Sequence, residues 1–191
     1  MKQFFKKIYR FNLQNFLINK KAYSYLKSSK NILDVGCGTG EFIKNNPQKI
    51  IGIDTNKDTL KTCKQKKFKV KTASVFKLPF KANSFTGIHC SHVIEHLQPE
   101  KAYQALKEIS RVLKPKGIFV LRAPILWSGF YDNLTHIKPY PPRAITRYLV
   151  ESAPDTTYPV LNHKFQQIAL YWRYNLKLLQ KTGYMLILKK I

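Results

Sequence analysis

The sequence predicts an α/β protein with a mostly parallel β-sheet. Two observations support this fold class: short apolar segments recur between residues 31 and 122, and turns or segments of helical periodicity separate them. Because two parallel strands need a crossover connection, such alternation is typical of a parallel sheet with right-handed crossovers. The length of 191 residues suits a single domain over residues 1–191.

The apolar segments predict five strands in the first two thirds of the chain. We expect these strands at residues 31–35, 50–54, 68–72, 84–90 and 118–121. Residues 100–113 have helical periodicity and end at the Lys-Pro-Lys-Gly turn of residues 114–117, which predicts a helix. A further helix is expected directly after the glycine-rich turn at residues 36–40.

Both ends of the chain give weaker patterns. Basic and apolar residues alternate over residues 1–30 and predict an amphipathic helix at about 2–28. After three prolines at 139–142, we expect a short helix at 143–151 and a strand at 156–161. Residues 163–181 are predicted to be helical, and residues 184–189 to form a final, antiparallel strand.

The charge of the chain is strongly positive. Lys and Arg number 34 against 10 Asp and Glu, which gives a net charge of +24. Residues 1–33 and 156–191 contain no Asp or Glu at all. A polyanionic partner is therefore expected, and charge alone leaves nucleic acid and an anionic membrane surface open.

The cysteines and the hydropathy pattern bear on the compartment. Cys37, Cys63 and Cys90 are odd in number and lack zinc-type spacing, as expected of reduced thiols. No apolar run reaches the roughly 20 residues that span a bilayer, and we expect no signal peptide. The sequence favours a cytoplasmic protein, with peripheral attachment to the inner membrane surface as an option.

A glycine-rich turn follows the first predicted strand. Residues 34–40 read Asp-Val-Gly-Cys-Gly-Thr-Gly, and Asp54 ends the next strand 20 residues after Asp34. Glycines let the backbone turn tightly against a ligand, and a carboxylate at the second strand binds ribose hydroxyls in nucleotide-binding folds. The G-x-G-x-G spacing differs from the dinucleotide fingerprint G-x-G-x-x-G and argues against NAD.

This segment resembles a known family. Residues 32–42 are similar to motif I of class I S-adenosylmethionine (SAM) dependent methyltransferases, with a methyltransferase type 11-like domain. Later landmarks follow in the family's order at residues 78–80, 84–85, 93–97 and 111–117. The resemblance covers residues 31–122 and implies a Rossmann-like fold, a mostly parallel seven-stranded sheet with helices on both faces. It also implies SAM as cofactor and S-adenosyl-L-homocysteine as product.

The resemblance assigns cofactor-binding roles by position. Asp34 would face the ammonium group of SAM, Asp54 would hold the ribose, and Val75 would flank the adenine. Ser74 stands where the family usually has an acidic residue that contacts the adenine amino group. The remaining positions assigned to the cofactor site are Gly36, Cys37, Gly38, Gly40, Thr55 and Ser91.

A histidine-rich cluster follows the fourth predicted strand. His92, Glu95 and His96 fall on one side if the segment turns helically, and His136 is expected to fold back over the same opening. We expect His92 or His136 to serve as general base, while Glu95 and His96 position the acceptor. The alternative is that these histidines only shape the pocket.

A metal ion is the other possibility for this cluster. Small-RNA terminal 2′-O-methyltransferases and ubiquinone-pathway O-methyltransferases resemble this segment and carry a Glu-x-x-Glu-His metal site. This chain has His92 at the first of those positions, so we favour no metal. His92, Glu95 and His96 form the ligand set of the metal-dependent alternative.

Three hypotheses for function stay open. The preferred one is methyl transfer to an oxygen or nitrogen of a small, lipid-linked or glycan acceptor, with the basic ends on anionic lipid. The second is methylation of RNA or another nucleic acid along a basic track. The third is a non-catalytic SAM-binding protein that acts through a partner. The aromatic segment 123–140 is expected either to cover the acceptor site or to pack on its own core.

Overall fold

The computed structural model describes residues 16–151, 156–161, 164–175 and 178–191. The strands are β1 Ile32–Val35, β2 Ile50–Asp54, β3 Val70–Thr72, β4 Phe85–Ser91, β5 Leu113–Pro124, β6 Phe165–Asn175 and β7 Gln180–Lys190. The helices are α1, which includes residues 16–26, α2 Lys57–Gln65, α3 Pro99–Val112 and α4 Pro142–Leu149. Short 3-10 helices lie at Ile43–Asn45, Ile94–His96 and Phe130–Asp132.

The strands form one mostly parallel sheet, as the sequence predicts. Its order is β3-β2-β1-β4-β5-β7-β6. Strands β1 to β5 pair in parallel, and β7 runs antiparallel to both β5 and β6. The order reverses between β1 and β4, so a ligand crevice is expected outside the carboxyl ends of these two strands.

Helices cover both faces of the sheet, which confirms the predicted layering. Successive residues of β5 point to opposite faces, as the geometry of a strand requires. Phe119 and Leu121 pack in the core that α3 and α4 cover, whereas Val120 packs with residues of α1 and α2. The central strands are therefore buried on both sides and read as continuous apolar runs.

The helix predicted over residues 163–181 is wrong, because residues 165–175 form strand β6. Tyr171, Trp172 and Tyr174 are aromatic residues that favour strands, and β6 pairs with β7 from Phe165 to Asn175. The long hairpin pairing outweighs the local helical spacing of the apolar residues. The final antiparallel strand is confirmed.

Two further predictions are wrong and one is only partly described. The helix expected after the glycine-rich turn is a single 3-10 turn at Ile43–Asn45, because Asn46 precedes Pro47 and is disfavoured in helical conformation. Residues 156–161 form no strand. Of the helix predicted at 2–28, residues 16–26 are helical and residues 2–15 lie outside the described residues. No helix in the described ranges combines the length and apolar character needed to cross a membrane.

Candidate active site

The glycine-rich turn follows β1 and holds its glycines in left-handed conformations. Gly38 has a φ of +50°, and a Cβ added there would meet no atom within 4 Å in the described part of the chain. Gly40 has a φ of +83°, and a Cβ there would lie 2.7 Å from the Phe68 ring. Gly40 therefore serves packing, whereas Gly38 leaves open space beside the backbone for a ligand.

Asp54 ends β2 and braces this turn. Its Oδ2 accepts a hydrogen bond of 2.9 Å from the Gly38 N–H, and its Oδ1 accepts one of 2.9 Å from the Asn56 N–H. Each carboxylate oxygen has a second lone pair that can accept a hydroxyl hydrogen. The carboxylate is thus held by the backbone at the position where the sequence predicts ribose binding.

Asp34 lies at the carboxyl half of β1 and forms a buried pair with His89 of β4. The distance from His89 Nδ1 to Asp34 Oδ1 is 2.7 Å, and the Phe42 ring stacks on the imidazole with centroids 3.7 Å apart. Burial lowers the pKa of His89, which the hydrogen bond to Asp34 opposes. Asp34 Oδ2 is buried and has no hydrogen-bond partner among the described residues.

A cavity of about 410 Å³ opens where β1 and β4 end. Of the residues that the sequence predicts for the cofactor and acceptor site, the cavity brings together Asp34, Gly36, Cys37, Ser91 and His92. Burial raises the pKa of the Cys37 thiol, so this side chain is a packing group and not a nucleophile.

The residues predicted for the adenosine end do not line this cavity. Asp54 ends β2 and Ser74 lies two residues after the end of β3, at the same edge of the sheet. The Ser74 Oγ accepts a hydrogen bond of 3.2 Å from the Phe76 N–H. Val75 is buried in the core, and Thr55 is exposed. Their assigned roles stay predictions.

Sequence reasoning missed four residues that line the cavity, namely Asn19, His89, Arg122 and Arg173. Glu41 and Phe42 also line it and fall within residues 32–42, the segment that resembles motif I. His89 and Arg122 each lie in a buried strand between two apolar residues. A polar or charged residue at such a position indicates a functional role. The sequence analysis did not assign Arg173 to the site because it predicted a helix for residues 163–181.

Arg122 and Arg173 place two guanidinium groups at one end of the cavity. Arg122 Nη1 donates to Asn19 Oδ1 over 2.7 Å, and Arg173 Nε donates to Thr182 Oγ1 over 3.2 Å. The pKa of Arg122 is lowered to about 10, chiefly by burial and in part by the charge of Arg173, while the charge of Asp34 opposes this shift. Burial also lowers the pKa of Arg173. Two partly desolvated like charges form a site that an anion would stabilise.

A second cavity, of about 400 Å³, adjoins the first. Both cavities are lined by His92, Arg122 and Arg173. The walls of the second cavity are otherwise apolar and aromatic, from α1, β6 and β7: Leu17, Ile18, Tyr171, Trp172, Tyr174, Tyr184 and Met185, with Lys21 and Ala123. The two cavities suit a cofactor and an acceptor that meet at the three shared residues.

His92 follows β4 in a left-handed conformation with a φ of +56°, which is uncommon for a residue other than glycine. Its N–H donates to the Arg122 carbonyl over 3.0 Å, and its Nδ1 lies 3.0 Å from Oε1 of the buried Glu95. Since an ionised carboxylate only accepts hydrogen bonds, Nδ1 carries the proton and Nε2 keeps its lone pair. The geometry suits a base that Glu95 orients.

His96 and His136 come together on the other side of Glu95. Their ring centroids are 5.0 Å apart, as expected from the prediction that His136 folds back over this opening. The segment that carries His136 is anchored here by the Ile137 N–H, which donates to the Glu95 carbonyl over 2.8 Å, and by the buried Phe130. This segment therefore covers Glu95 and also packs on its own core.

The charges of the first cavity fit SAM. The methionine end of SAM carries an ammonium and a carboxylate on one carbon. The buried Asp34 Oδ2, which lacks a partner in the described ranges, suits the ammonium, and Arg122 suits the carboxylate. Asp54 suits the two ribose hydroxyls, because both of its oxygens are held in place by the backbone.

Comparisons with known proteins agree with this geometry. A family profile described as a methyltransferase domain matches residues 33–121. The chain is 28% identical over 145 residues to tRNA (carboxymethyluridine(34)-5-O)-methyltransferase of Arabidopsis thaliana, covering 73% of this chain and 35% of that protein. It is 35% identical over 108 residues to demethylmenaquinone methyltransferase of Lactiplantibacillus plantarum, covering 49% of this chain and 45% of that protein.

The fold likeness extends over nearly the whole chain. The crystal structure of a SAM-dependent methyltransferase from Archaeoglobus fulgidus has a TM-score of 0.70 at 24% identity, covering 91% of this chain and 93% of that one. The chain spans half or less of curated relatives that it matches, between 14% and 50% of their length. The ordered motifs, the matching profile and the shared fold agree: residues 33–121 form a SAM-dependent methyltransferase domain, and the fold is that of class I SAM-dependent methyltransferases.

Proposed function

We propose that this chain transfers the methyl group of SAM to an oxygen atom of a small or lipid-linked acceptor that carries a negatively charged group. The observation that carries this proposal is the pair of guanidinium groups at the junction of the two cavities, from the buried Arg122 and the half-buried Arg173. Asp34, which lines the first cavity only, is a charge partner of Arg122, and we therefore assign Arg122 to the cofactor. Arg173 lies on β6 among the aromatic residues of the second cavity, and we assign it to the acceptor.

Methyl transfer from SAM mainly requires that the protein align the acceptor with the methyl group. SAM supplies a methyl group on a positively charged sulfur, which the acceptor displaces directly. The chain holds the two reactants in one geometry, which by itself accounts for a large part of such a rate enhancement. Where the acceptor oxygen is a hydroxyl, His92 Nε2 is placed to remove its proton, because Glu95 holds the proton on Nδ1.

The surface around the acceptor cavity favours a lipid-linked acceptor. Helix α1 and the β6–β7 hairpin, which line this cavity, expose apolar side chains: Phe16, Leu17, Trp172, Leu178 and Leu179. Lysines lie among them, with Lys21 Nζ 3.6 Å from the Tyr171 ring centroid and Lys181 Nζ 4.4 Å from that of Trp172. Apolar groups flanked by lysines suit the boundary of an anionic bilayer.

A second candidate is methylation of a carboxylate in RNA. One relative is by its name a tRNA methyltransferase that acts on carboxymethyluridine. A carboxymethyl group carries a carboxylate, which Arg173 would bind as well as it binds a small acid. The net charge of +24 also suits a polyanion.

Labelled methyl groups distinguish these acceptors. The purified chain is incubated with methyl-labelled SAM and an extract of its own cells, and the label is fractionated. Label in organic-extractable or small-molecule fractions is expected, and label in a nuclease-sensitive fraction would favour RNA instead. The variant Arg173→Gln should lose most of the uptake, while Arg143→Gln, an exposed arginine of α4, should keep it. Equal uptake by both variants would remove the basis for an anionic acceptor.

A further inference from the structure

A cluster of metal-ligating side chains lies beside the acceptor cavity. Glu95 and His96 belong to the 3-10 helix Ile94–His96 that follows β4, and His136 comes from the segment after β5. One ligand atom from each of the three side chains lies within 4.8 Å of the other two. His92 contacts Glu95 but is not one of the three, so this set differs from the one that the sequence indicates.

Both imidazoles are oriented by backbone carbonyl groups. His96 Nδ1 lies 3.0 Å from both the carbonyl oxygen and the Oγ1 of Thr135, and His136 Nδ1 lies 2.6 Å from the Phe130 carbonyl oxygen. A carbonyl oxygen only accepts hydrogen bonds, so each Nδ1 is the donor and each Nε2 is the ring nitrogen left to act as a ligand atom. A second ring nitrogen bound to a backbone carbonyl is the usual support of metal-binding histidines.

Glu95 provides a buried charge that calls for a cation. Its side chain is completely buried, and Oε1 is bound to His92. Oε2 is buried as well and has no hydrogen-bond partner within the described residues. Because a buried carboxylate oxygen without a partner is costly, a cation at this point would stabilise the folded chain.

The backbone holds the two ligating segments together. The N–H groups of Ile137 and Lys138 both donate to the Glu95 carbonyl, over 2.8 and 3.3 Å. His136 is therefore fixed next to Glu95 by main-chain bonds on its C-terminal side and by its own bond to Phe130 on the other. Ligands that are positioned in advance need only small side-chain rotations to reach the roughly 3.4 Å separation of atoms around one tetrahedral ion.

We propose that Glu95, His96 and His136 bind a divalent transition-metal cation. Two imidazole nitrogens and one carboxylate oxygen suit zinc, manganese or iron, whereas magnesium and calcium prefer oxygen ligands. Three protein ligands leave coordination positions open. A further role of the ion rests on the proposed function: Glu95, which would hold the ion, also contacts His92 of the acceptor cavity, so the charge of the ion would stabilise an anionic acceptor oxygen there.

Cobalt(II) serves as the probe, because its visible spectrum reports the ligands and the geometry of the site. The purified full chain is titrated with Co²⁺ by absorption spectroscopy and by calorimetry, without SAM or acceptor. We expect one ion per chain with nitrogen and oxygen ligands. The variants Glu95→Gln, His96→Gln and His136→Gln should each weaken binding at least about tenfold. The exposed Glu100→Gln variant should bind as the wild type does.

The controls separate the possible outcomes. SAM binding by each variant checks that it is folded, and His136→Gln is the most tolerant because a Gln amide can still donate to the Phe130 carbonyl. The proposal is overturned if the wild type binds no stoichiometric Co²⁺ or if folded ligand variants bind as tightly as Glu100→Gln. It is also overturned if the spectrum shows only thiolate ligation, as from Cys37 and Cys63. Since no acceptor is present, failure here leaves the methylation assay unaffected.

Discussion

The cofactor side and the acceptor side of the crevice differ in the sign of their charges. At the ends of β1 and β2, Asp34 and Asp54 present carboxylates in a chain that has only 10 acidic residues. On the proposed acceptor side, Arg173 belongs to residues 156–191, which contain no Asp or Glu. Under the proposed function, Asp34 and Asp54 lie where the cationic sulfonium compound would bind, and Arg173 lies where the anionic acceptor would enter.

The two sides also differ in what holds them in place. Asp54 is bound by the backbone N–H groups of Gly38 and Asn56, so the turns that follow β1 and β2 build the cofactor side. Arg173 lies on the edge strand β6, and its Nε donates to Thr182 of β7 across the hairpin. The acceptor side therefore depends on the pairing of β6 with β7 at the edge of the sheet, and not on a turn motif.

The largest effect is expected from removing the Asp54 carboxylate. Asp54→Ala would lose the expected hydrogen bonds to the ribose hydroxyls and the hydrogen bond to the Gly38 N–H. Each hydrogen bond to a charged group contributes about 1.5–3 kcal/mol. We expect SAM binding to weaken by roughly 100-fold or more, measured by calorimetry. Asp58→Ala, an exposed carboxylate in the first turn of α2, is the matched control and should bind SAM normally. Wild-type affinity in Asp54→Ala would mean that the ribose lies elsewhere.

The two arginines should separate the two reactants. Arg122→Gln is expected to weaken SAM binding by about 10- to 100-fold, because the methionine carboxylate loses a charge-assisted hydrogen bond. Arg173→Gln should leave the dissociation constant of SAM within about twofold and lower only the uptake of label by the acceptor. Calorimetry with SAM measures both variants. Equal weakening would place both guanidinium groups against the cofactor and end the distinction between the two sides.

The buried His89 should make folding sensitive to mild acid. Its pKa is lowered by burial and by the nearby Arg122 and His92, and raised by Asp34, with a net lowering from 6.5. Below about pH 6.5 the unfolded chain binds a proton that the folded chain does not, so the free energy of unfolding falls by up to about 1.4 kcal/mol per pH unit. Urea unfolding at pH 7.5, 6.5 and 5.5 tests this. His89→Asn, whose amide can donate to Asp34, should show a shallower dependence, and an identical one would rule out His89 as the source.

The sequence located the glycine turn and the two carboxylates beside it but missed strand β6 and Arg173, for a physical reason. The turn at 36–40 and the carboxylates at 34 and 54 follow from local backbone chemistry, which residues adjacent in sequence determine. Strand β6 depends on pairing with β7, so a helical spacing of apolar residues misled the prediction for 163–181. The approach of His136 to His96 was anticipated only as a possible fold-back, because the hydrogen bonds that hold it involve residues about 40 positions apart.

The smallest effect, and the finest test of the cofactor side, is expected at Gly38. Gly38→Ala places a Cβ at a φ of +50° in open space, so the free energy of unfolding should fall by only about 1 kcal/mol. In Gly40→Ala the new Cβ would lie 2.7 Å from the Phe68 ring. Overpacking should therefore lower its free energy of unfolding by roughly 1–3 kcal/mol more than in Gly38→Ala. Urea unfolding and calorimetry with SAM should rank the variants in opposite order, because a methyl group at Gly38 occupies ligand space and one at Gly40 occupies the core. If Gly38→Ala binds SAM as the wild type does, the cofactor does not approach the backbone there.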